Sequence, residues 1–305
     1  MINESFHIPV LTEEVIHYLL LKKNGNYLDA TSGFGGHSAS ILEQLVGGSL
    51  ISTDQDPEAI SYLKSKFKSE ERLSIHQARF SELDKLLCDN DFDGILADIG
   101  VSSYQLNTAK RGFSFMKDGP LDMRMNQNIG EDASSWLNNA SEKEISNILW
   151  KYGEERKAKR IAKAIIEARN NFKIKSTKEL AEIILEEVPR RFNDKKHPAT
   201  KTFQAIRIFI NNELEELKLL LDFTSKHLKI GGRACIISFH SLEDRMVKQF
   251  FRDHSRRDPR LSKLPNLADD SSFKLVSKAI KPSDHEININ PRSRSAKLRV
   301  FERIR

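Results

Sequence analysis

Residues 27–37, YLDATSGFGGH, combine a short apolar strand pattern, a glycine loop and the start of a helical pattern. The loop is Gly33-Phe34-Gly35-Gly36, and helical periodicity begins at His37. Glycine has no Cβ and adopts backbone conformations that other residues avoid, so a ligand can approach such a loop closely. A strand, a glycine loop and a helix in this order predict a site for a nucleotide-like ligand. A tight structural turn is the alternative on this segment alone.

Strand and helix patterns alternate along the first hundred residues. Short apolar runs predict strands at residues 27–30, 50–53, 73–76 and 92–99. Helical patterns lie between them, and one starts at Pro57, a residue favoured in the first turn of a helix. Alternation at this spacing predicts parallel βαβ units. The expected fold class is therefore α/β, with a doubly wound, mostly parallel sheet.

The alternation stops in the middle of the chain. Between residues 107 and 197 we expect helices and no strand, which indicates a helical insertion. A long helix at 202–228 and a strand at 233–238, separated by Gly231-Gly232, resume the α/β pattern. Late strands at 274–279 and 297–304 are expected to pair as an edge hairpin. The predicted domains are 1–106 and 201–305, two parts of one α/β domain, and the insertion 107–200.

Acidic residues end three of the predicted strands, at Asp29, Asp54 and Asp98. Asp54 can accept hydrogen bonds from ribose hydroxyls, a role shared by NAD and S-adenosylmethionine sites. Asp29, before the glycines, favours S-adenosylmethionine, which is positively charged. The absence of the third glycine of the G-x-G-x-x-G motif counts against NAD. An NAD-dependent oxidoreductase and an RNA-binding protein without catalysis stay open as alternatives.

Asp98 is the candidate catalytic residue. A carboxylate at a strand end can accept a hydrogen bond from an exocyclic amine and direct the nitrogen lone pair at a methyl donor. A cap of a helix or turn is the alternative. Methylation at a pyrimidine carbon would need a thiolate nucleophile. Cys88 lies in a helical pattern and Cys235 inside a predicted strand, so nitrogen or oxygen is the expected acceptor.

Charge and composition bound the partners and the compartment. The net charge is +6, and residues 245–305 carry 16 Lys+Arg against 7 Asp+Glu, with a similar excess at 151–202. Such regions suit a polyanion such as nucleic acid, or are ordinary solvated helix faces. The chain has no signal peptide pattern, no apolar run of membrane-spanning length and two cysteines. We therefore expect a reduced, cytoplasmic location, no membrane contact and no metal site.

Eight segments, in the same order along the chain, resemble the bacterial ribosomal small-subunit RNA methyltransferase H family, also called MraW. They are residues 7–11, 33–38, 98–106, 111–116, 118–125, 152–156, 197–205 and 238–245. The family resemblance implies a class I, Rossmann-like, S-adenosylmethionine-dependent methyltransferase with a seven-stranded sheet and an all-helical insertion domain. It also implies N4 methylation of a decoding-centre cytosine in 16S rRNA of the small ribosomal subunit. A homodimer is one alternative for the oligomeric state.

The resemblance also assigns site residues. Cofactor contacts are implied for Gly35, Gly36, His37, Asp54, Phe80, Asp98 and Gln105. Substrate contacts are expected at Ser102, Ser103, Arg124, His197, Ser238, His240 and Arg245. For the last three, the alternative is a helix start after the fifth strand that Ser241 caps together with Asp244. Arg190-Arg191, Lys195-Lys196 and Arg292–Arg294 are phosphate candidates because they lie in predicted loops.

Overall fold

The structure is a computed structural model that describes residues 9–190, 197–255 and 271–305. The chain forms two compact units. One combines Met1–Gly100 with Leu214–Arg305, and the other is Val101–Glu213. The domain boundaries derived from the sequence, at residues 107 and 200, stay a prediction.

Seven strands of the first unit form one sheet. They are β1 (Asn26–Asp29), β2 (Ser49–Asp54), β3 (Leu73–Gln77), β4 (Phe92–Asp98), β5 (Leu228–Ser238), β6 (Phe273–Leu275) and β7 (Lys297–Arg303). Their order is β3-β2-β1-β4-β5-β7-β6. Strands β1 to β5 are parallel, whereas β7 is antiparallel to β5 and β6 to β7. The predicted doubly wound sheet and its edge hairpin are confirmed, and the strand order reverses between β1 and β4, where open sheets bind ligands.

Helices surround the sheet and build the second unit. In chain order they are α1 (Thr12–Leu19), α2 (Gly36–Gln44), α3 (Pro57–Lys66), α4 (Leu83–Leu86), α5 (Ser103–Asn107), α6 (Ala133–Asn139), α7 (Glu142–Gly153), α8 (Ala158–Asn171), α9 (Thr177–Glu187), α10 (Ala199–Ile210), α11 (Glu213–His227), α12 (Ser241–His254) and α13 (Asp284–Ile289). In the part of the chain that the structure describes, no helix is long and apolar enough to cross a bilayer.

Both faces of the sheet are buried. Tyr27 and Leu96 pack in one apolar cluster together with residues of α1 and α2. Leu28, which follows Tyr27 in β1, and Ile95, which precedes Leu96 in β4, pack in a second apolar cluster with residues of α11 and α12. Successive residues of a strand point to opposite faces, so continuous apolar runs such as these are typical of a sheet covered on both sides.

The second unit is helical, as the sequence predicts. Its described residues form helices and turns, with an isolated bridge between Pro120 and Ser176 and no strand. Helices α6 to α10 share one apolar core, to which each contributes buried side chains. Examples are Trp136, Leu149, Ile161, Leu180 and Phe203.

The prediction of a single long helix at 202–228 is wrong, because two helices, α10 and α11, occupy that range. Asn212 has a φ of 52°, a left-handed conformation that asparagine tolerates and that ends a helix. The Asn211 side chain donates to the Met123 carbonyl at 2.7 Å and accepts from the Met125 N–H at 2.7 Å. The two helices are thus separated where Asn211 bonds to residues 123 and 125, a signal that helical periodicity alone does not carry.

The Gly231-Gly232 pair lies inside β5 and does not precede the strand, which corrects the predicted start at residue 233. The strand begins at Leu228, and its pairing with β4 is irregular between Phe92 and Gly94. Gly231 has a φ of 80°, which a glycine adopts without strain. The glycines therefore mark a bulge within a strand.

Candidate active site at the carboxyl ends of the strands

Three carboxylates lie at one edge of the parallel sheet. Asp29, Asp54 and Asp98 are the last residues of β1, β2 and β4. Asp29 pairs in register with Ser52 of β2 and Leu96 of β4, so the three strands end within two residues of one another. Parallel strands present their carboxyl ends at the same edge. The prediction that these three acids stand at strand ends is therefore confirmed, and the register aligns those ends.

The glycine loop lies at this edge of the sheet and is bonded to it. Gly33 and Gly35 have φ of 49° and 77°, and the Gly33 N–H donates to Asp54 Oδ2 at 2.8 Å. A Cβ on Gly35 would lie 2.6 Å from Leu63, and one on Gly36 would lie 3.1 Å from Pro9. A Cβ on Gly33 would meet nothing within 4 Å. Gly35 is thus required by packing, whereas Gly33 borders open space that a ligand can use.

Asp54 is half-buried and already holds the loop. Its carboxylate accepts the backbone N–H of Gly33 and that of Asp56. Burial raises the pKa of Asp54 to about 6, the nearby Asp56 and Asp29 carboxylates add to the rise, and the two N–H donors oppose it. The group is ionised at neutral pH with lone pairs to spare. It can therefore accept hydrogen bonds from the two hydroxyls of a ribose.

Asp29 serves the protein interior. It is fully buried and accepts hydrogen bonds from the Ser38 hydroxyl at 2.6 Å and the Thr31 N–H at 3.2 Å. Ser38 in turn contacts the Ser52 hydroxyl at 2.9 Å. Burial raises the pKa of Asp29. This network fastens the first turn of α2 to β1 and β2 and so fixes the position of the glycine loop.

Asp98 and His37 face each other in the first unit. His37 is the second residue of α2, and its Nε2 lies 3.7 Å from Asp98 Oδ2. Both imidazole nitrogens and Asp98 Oδ1 are buried and have no hydrogen-bond partner. The backbone N–H of Asp98 donates to the Thr31 hydroxyl at 2.6 Å. Unpartnered polar atoms in a buried place are costly, and they are typical of sites that complete their hydrogen bonds with a ligand.

Phe80 follows β3 at the same edge. Gln77, the last residue of β3, pairs in register with Asp54, and Phe80 opens a short 3₁₀ turn three residues later. Ser81 anchors the turn because its N–H and hydroxyl donate to Glu216 at 2.9 Å and 3.0 Å. The half-buried Phe80 ring packs on the apolar cluster beneath the sheet. Phe80 thus follows the strand that pairs with β2 and its Asp54, and its cofactor contact stays a prediction.

The segment after β5 is a capped helix start. The structure places Ser238, His240 and Arg245 around the first turn of α12. His240 is the N-cap, and Glu243 accepts from its backbone N–H at 3.3 Å in a capping box. The alternative read from the sequence paired Ser241 with Asp244 in this cap, and Asp244 instead pairs with Lys297 and Arg299 of β7 at 2.8 Å and 2.7 Å. The Ser238 hydroxyl is buried without a partner, and Arg245 is exposed. Their substrate contacts stay a prediction.

The remaining predicted residues belong to the second unit. Ser102 caps α5, and Gln105 completes a capping box with it at 3.0 Å. Ser103 is the first residue of that helix. Arg124 forms a bidentate pair with Asp122, with both contacts at 2.8 Å. Local structure thus engages side chains that the resemblance assigns to cofactor and substrate.

His197 packs on the ring of Phe115 with centroids 4.6 Å apart. Burial, and then the charge of Arg190, lowers the pKa of His197, so the ring is neutral at neutral pH. Among the phosphate candidates, Arg190, Arg292 and Arg294 are exposed. Arg191, Lys195 and Lys196 lie outside the described residues, as do residues 7 and 8 of the first family segment.

Neither cysteine is suited to attack a base. Cys235 is buried in β5, and burial raises the pKa of its thiol to about 12. Cys88 is exposed beyond the end of α4, which corrects its predicted helical, apolar surroundings. Neither residue lies at a strand end beside Asp98. The thiolate chemistry of carbon methylation therefore has no candidate nucleophile at this edge.

Comparison with known proteins identifies the family. The sequence matches the MraW methylase family over residues 4–304. It is 48% identical over 300 residues to a Xanthomonas oryzae protein named ribosomal RNA small subunit methyltransferase H, covering 98% of this chain and 89% of the relative. A Coxiella burnetii protein of the same name is 49% identical over 305 residues, covering 98% and 99%.

The chain belongs to the MraW methylase family. It is a methyltransferase that uses S-adenosylmethionine, and the NAD alternative is set aside. A solved structure titled a putative rRNA-methylase from Clostridium thermocellum is 12% identical, with a TM-score of 0.44 over 96% of this chain and 95% of that one.

The residues of the first unit fit this family's cofactor. Gly33 borders open space, Asp54 offers an ionised carboxylate, and His37 and Asp98 keep buried polar atoms unpartnered. Thr31 was missed as a site residue by sequence reasoning. Its signal is a hydroxyl directly after the first predicted strand, and only the fold brings it to Asp98.

Proposed function

We propose that this protein methylates the exocyclic N4 amine of a cytosine in the decoding centre of 16S rRNA, with Asp98 orienting the amine. The observation that carries the mechanism is the buried, unpartnered Oδ1 of Asp98 at the carboxyl end of β4. Support for the substrate comes from the resemblance and from relatives named ribosomal RNA small subunit methyltransferase H.

The site can perform this reaction through positioning. When bound, S-adenosylmethionine supplies an electrophilic methyl group on a sulfonium. Asp54 holds the ribose side, and the glycine loop keeps the backbone close. Asp98 Oδ1 accepts a hydrogen bond from the substrate amine, which turns the nitrogen lone pair away from the ring and toward the methyl carbon.

Charge and proton balance follow from the same carboxylate. As the nitrogen–carbon bond forms, the carbon–sulfur bond breaks and its electron pair stays on sulfur. The methylated nitrogen then carries a surplus proton. Asp98 Oδ1, already hydrogen-bonded to that nitrogen, takes the proton. The buried Cys235 plays no part, which is consistent with an amine acceptor.

The partner of the reaction is the small ribosomal subunit, with no membrane and no metal in the proposal. Arg245, Arg292 and Arg294 are exposed cations that suit RNA phosphates. We place the reaction in the cytoplasm. A homodimer stays one proposal for the oligomeric state, and light scattering of the purified protein tests it.

Substitution of Asp98 tests the proposed mechanism. Asp98→Ala is expected to lower methyl transfer to purified 30S subunits by at least about 100-fold at saturating cofactor, the scale of a lost proton-transfer group. Circular dichroism and thermal unfolding should match the wild type. Near-normal turnover of Asp98→Ala would contradict the amine-orienting role. Stoichiometric cofactor binding by the wild type without any methyl transfer would favour an RNA-binding protein instead.

A further inference from the structure

The imidazole of His37 is buried without any hydrogen bond. Only 6% of His37 is exposed, and neither Nδ1 nor Nε2 has a partner. An unsatisfied polar group of this kind destabilises the folded state. A functional site can retain such a group because its hydrogen bonds form in the loaded state. His37 therefore has hydrogen-bonding capacity that no group in the described part of the protein satisfies.

Asp98 is an acceptor close to this imidazole, and its two oxygens are not equivalent. Oδ2 lies 3.7 Å from His37 Nε2, which is longer than a hydrogen bond. Oδ1 is buried and has no partner. One oxygen thus faces the imidazole, and the other has no hydrogen-bond partner among the residues that the structure describes. This division matters because a carboxylate that can rotate freely would not direct the amine.

The backbones that carry these two side chains are fixed. Ser38, next to His37, donates to Asp29 at 2.6 Å and fastens the first turn of α2. The Asp98 N–H is held by Thr31 at 2.6 Å. Closing the gap to a normal hydrogen bond of about 2.9 Å requires a shift of less than about 1 Å. Small side-chain rotations supply such a shift without moving either strand or helix.

We propose that His37 is a positioning residue for Asp98. Its Nε2–H donates to Asp98 Oδ2 in the loaded site, and this bond fixes the carboxylate with Oδ1 directed at the amine. This inference rests on the proposed function, in which Asp98 orients the amine. It differs from a cofactor contact by His37, because the imidazole acts on the chemical step through Asp98.

Two matched variants separate the roles. The amide nitrogen of His37→Gln reaches about as far as the imidazole Nε2, whereas that of His37→Asn reaches only as far as Nδ1. We expect His37→Asn to lower kcat about 100-fold, the cost of misplacing a reacting group by about 1 Å. His37→Gln should keep kcat within about tenfold of the wild type. The affinity for S-adenosylmethionine, measured by calorimetry, should be nearly equal in all three proteins.

A second readout does not depend on activity. In protein saturated with S-adenosylhomocysteine, the ¹⁵N chemical shift of His37 Nε2 should differ between the wild type and Asp98→Asn. A double variant, Asp98→Ala with His37→Asn, should be no slower than Asp98→Ala alone, because the two groups act as one unit.

Three results would overturn the inference. One is an equal loss of kcat in the Gln and Asn variants together with weaker cofactor binding, which would make His37 a cofactor contact. Another is unchanged kcat in both variants. The third is a ¹⁵N chemical shift of His37 Nε2 that is the same in the wild type and in Asp98→Asn. Failure of the proposed function has a separate signature, since wild-type protein would then transfer no methyl group to 30S subunits while the Nε2 comparison stays measurable.

Discussion

The hydroxyl of Thr31 accepts a 2.6 Å hydrogen bond from the backbone N–H of Asp98. Thr31 follows β1 and Asp98 ends β4, so this bond joins the two strands where the order of the sheet reverses. The position of the candidate catalytic carboxylate therefore depends on a residue of the neighbouring loop.

Removal of the Thr31 hydroxyl should loosen Asp98. We expect Thr31→Ala to lower the free energy of unfolding by about 1 kcal/mol, the usual worth of one hydrogen bond, and to lower kcat. Thr31→Ser keeps the acceptor and is the matched control. Urea unfolding and methyl-transfer assays measure the two effects. Equal kcat in the Ala and Ser variants would show that Asp98 does not need this bond.

Alanine at Gly33 and at Gly35 should fail in different ways. In Gly35→Ala the new Cβ would meet Leu63 at 2.6 Å and Phe67 at 2.7 Å, so we expect a loss of about 1–3 kcal/mol of stability. In Gly33→Ala the Cβ meets nothing within 4 Å, so the strain of a φ of 49° costs only about 1–2 kcal/mol. Because that Cβ enters the open space of the loop, cofactor affinity should fall. Equal cofactor affinity in Gly33→Ala and wild type would remove the loop from the cofactor site.

Asp54 predicts a pH dependence of cofactor binding. Its pKa is raised to about 6 by burial, and only the ionised form accepts hydrogen bonds from ribose hydroxyls through both oxygens. Affinity for S-adenosylmethionine should therefore be full well above pH 6 and weaken as the pH falls through about 6. Calorimetry between about pH 5 and about pH 7.5 measures this trend. Asp54→Asn should bind more weakly at neutral pH and lose the trend, and an unchanged trend in that variant would assign it to another group.

The same pKa shift has the opposite effect on stability without cofactor. Ionisation of a carboxyl whose folded pKa is raised is unfavourable to the folded state, and this penalty is present above about pH 6 and relieved as the pH falls toward the unfolded value. Asp54→Asn removes this penalty, but its single amide oxygen can accept only one of the two backbone N–H groups that Asp54 accepts, those of Gly33 and Asp56. Urea unfolding of the cofactor-free variant, measured beside its cofactor affinity, separates weaker binding from lost stability.

Asp244 should stabilise the start of α12 by its ion pairs with Lys297 and Arg299 of β7. Burial opposes ionisation, but the hydrogen bonds from Arg299 and Lys297 hold the pKa of Asp244 below its ordinary value. This contribution is present above the unfolded pKa of about 4 and is lost as the pH falls through the folded value. Asp244→Ala removes both ion pairs, of which that with Lys297 is partly screened by solvent, and should cost about 1–3 kcal/mol in urea unfolding near neutral pH. A free energy of unfolding equal to that of the wild type would show that these two ion pairs do not stabilise the protein.

Much of the architecture follows from local patterns. The strand at 27–30 and the helix after Gly36 were recognisable because apolar runs and glycines report directly on backbone conformation. The acids at strand ends were predictable because parallel strands align their carboxyl ends. The two helices in place of one at 202–228 were not, because the interruption depends on contacts of Asn211 with residues 123 and 125.

The limits at the site have the same origin. Asp54 and Asp98 could be recognised in the sequence as acids at strand ends, but the hydrogen bond of Thr31 could not, because its partner lies 67 positions away. The sequence also could not show that Asp29 accepts a hydrogen bond from Ser38, through which Asp29 fixes the position of the glycine loop. A side chain that works through a distant neighbour leaves no periodic signal.

Transfer of labelled methyl from S-adenosylmethionine to purified 30S subunits, followed by mass-spectrometric mapping of the modified nucleotide, tests the central claim most directly. The account predicts one methyl group per subunit, on N4 of a cytosine in the decoding centre, with the wild type and none above background with Asp98→Ala. A methyl group on a carbon, on a ribose oxygen or on a base outside 16S rRNA would contradict it.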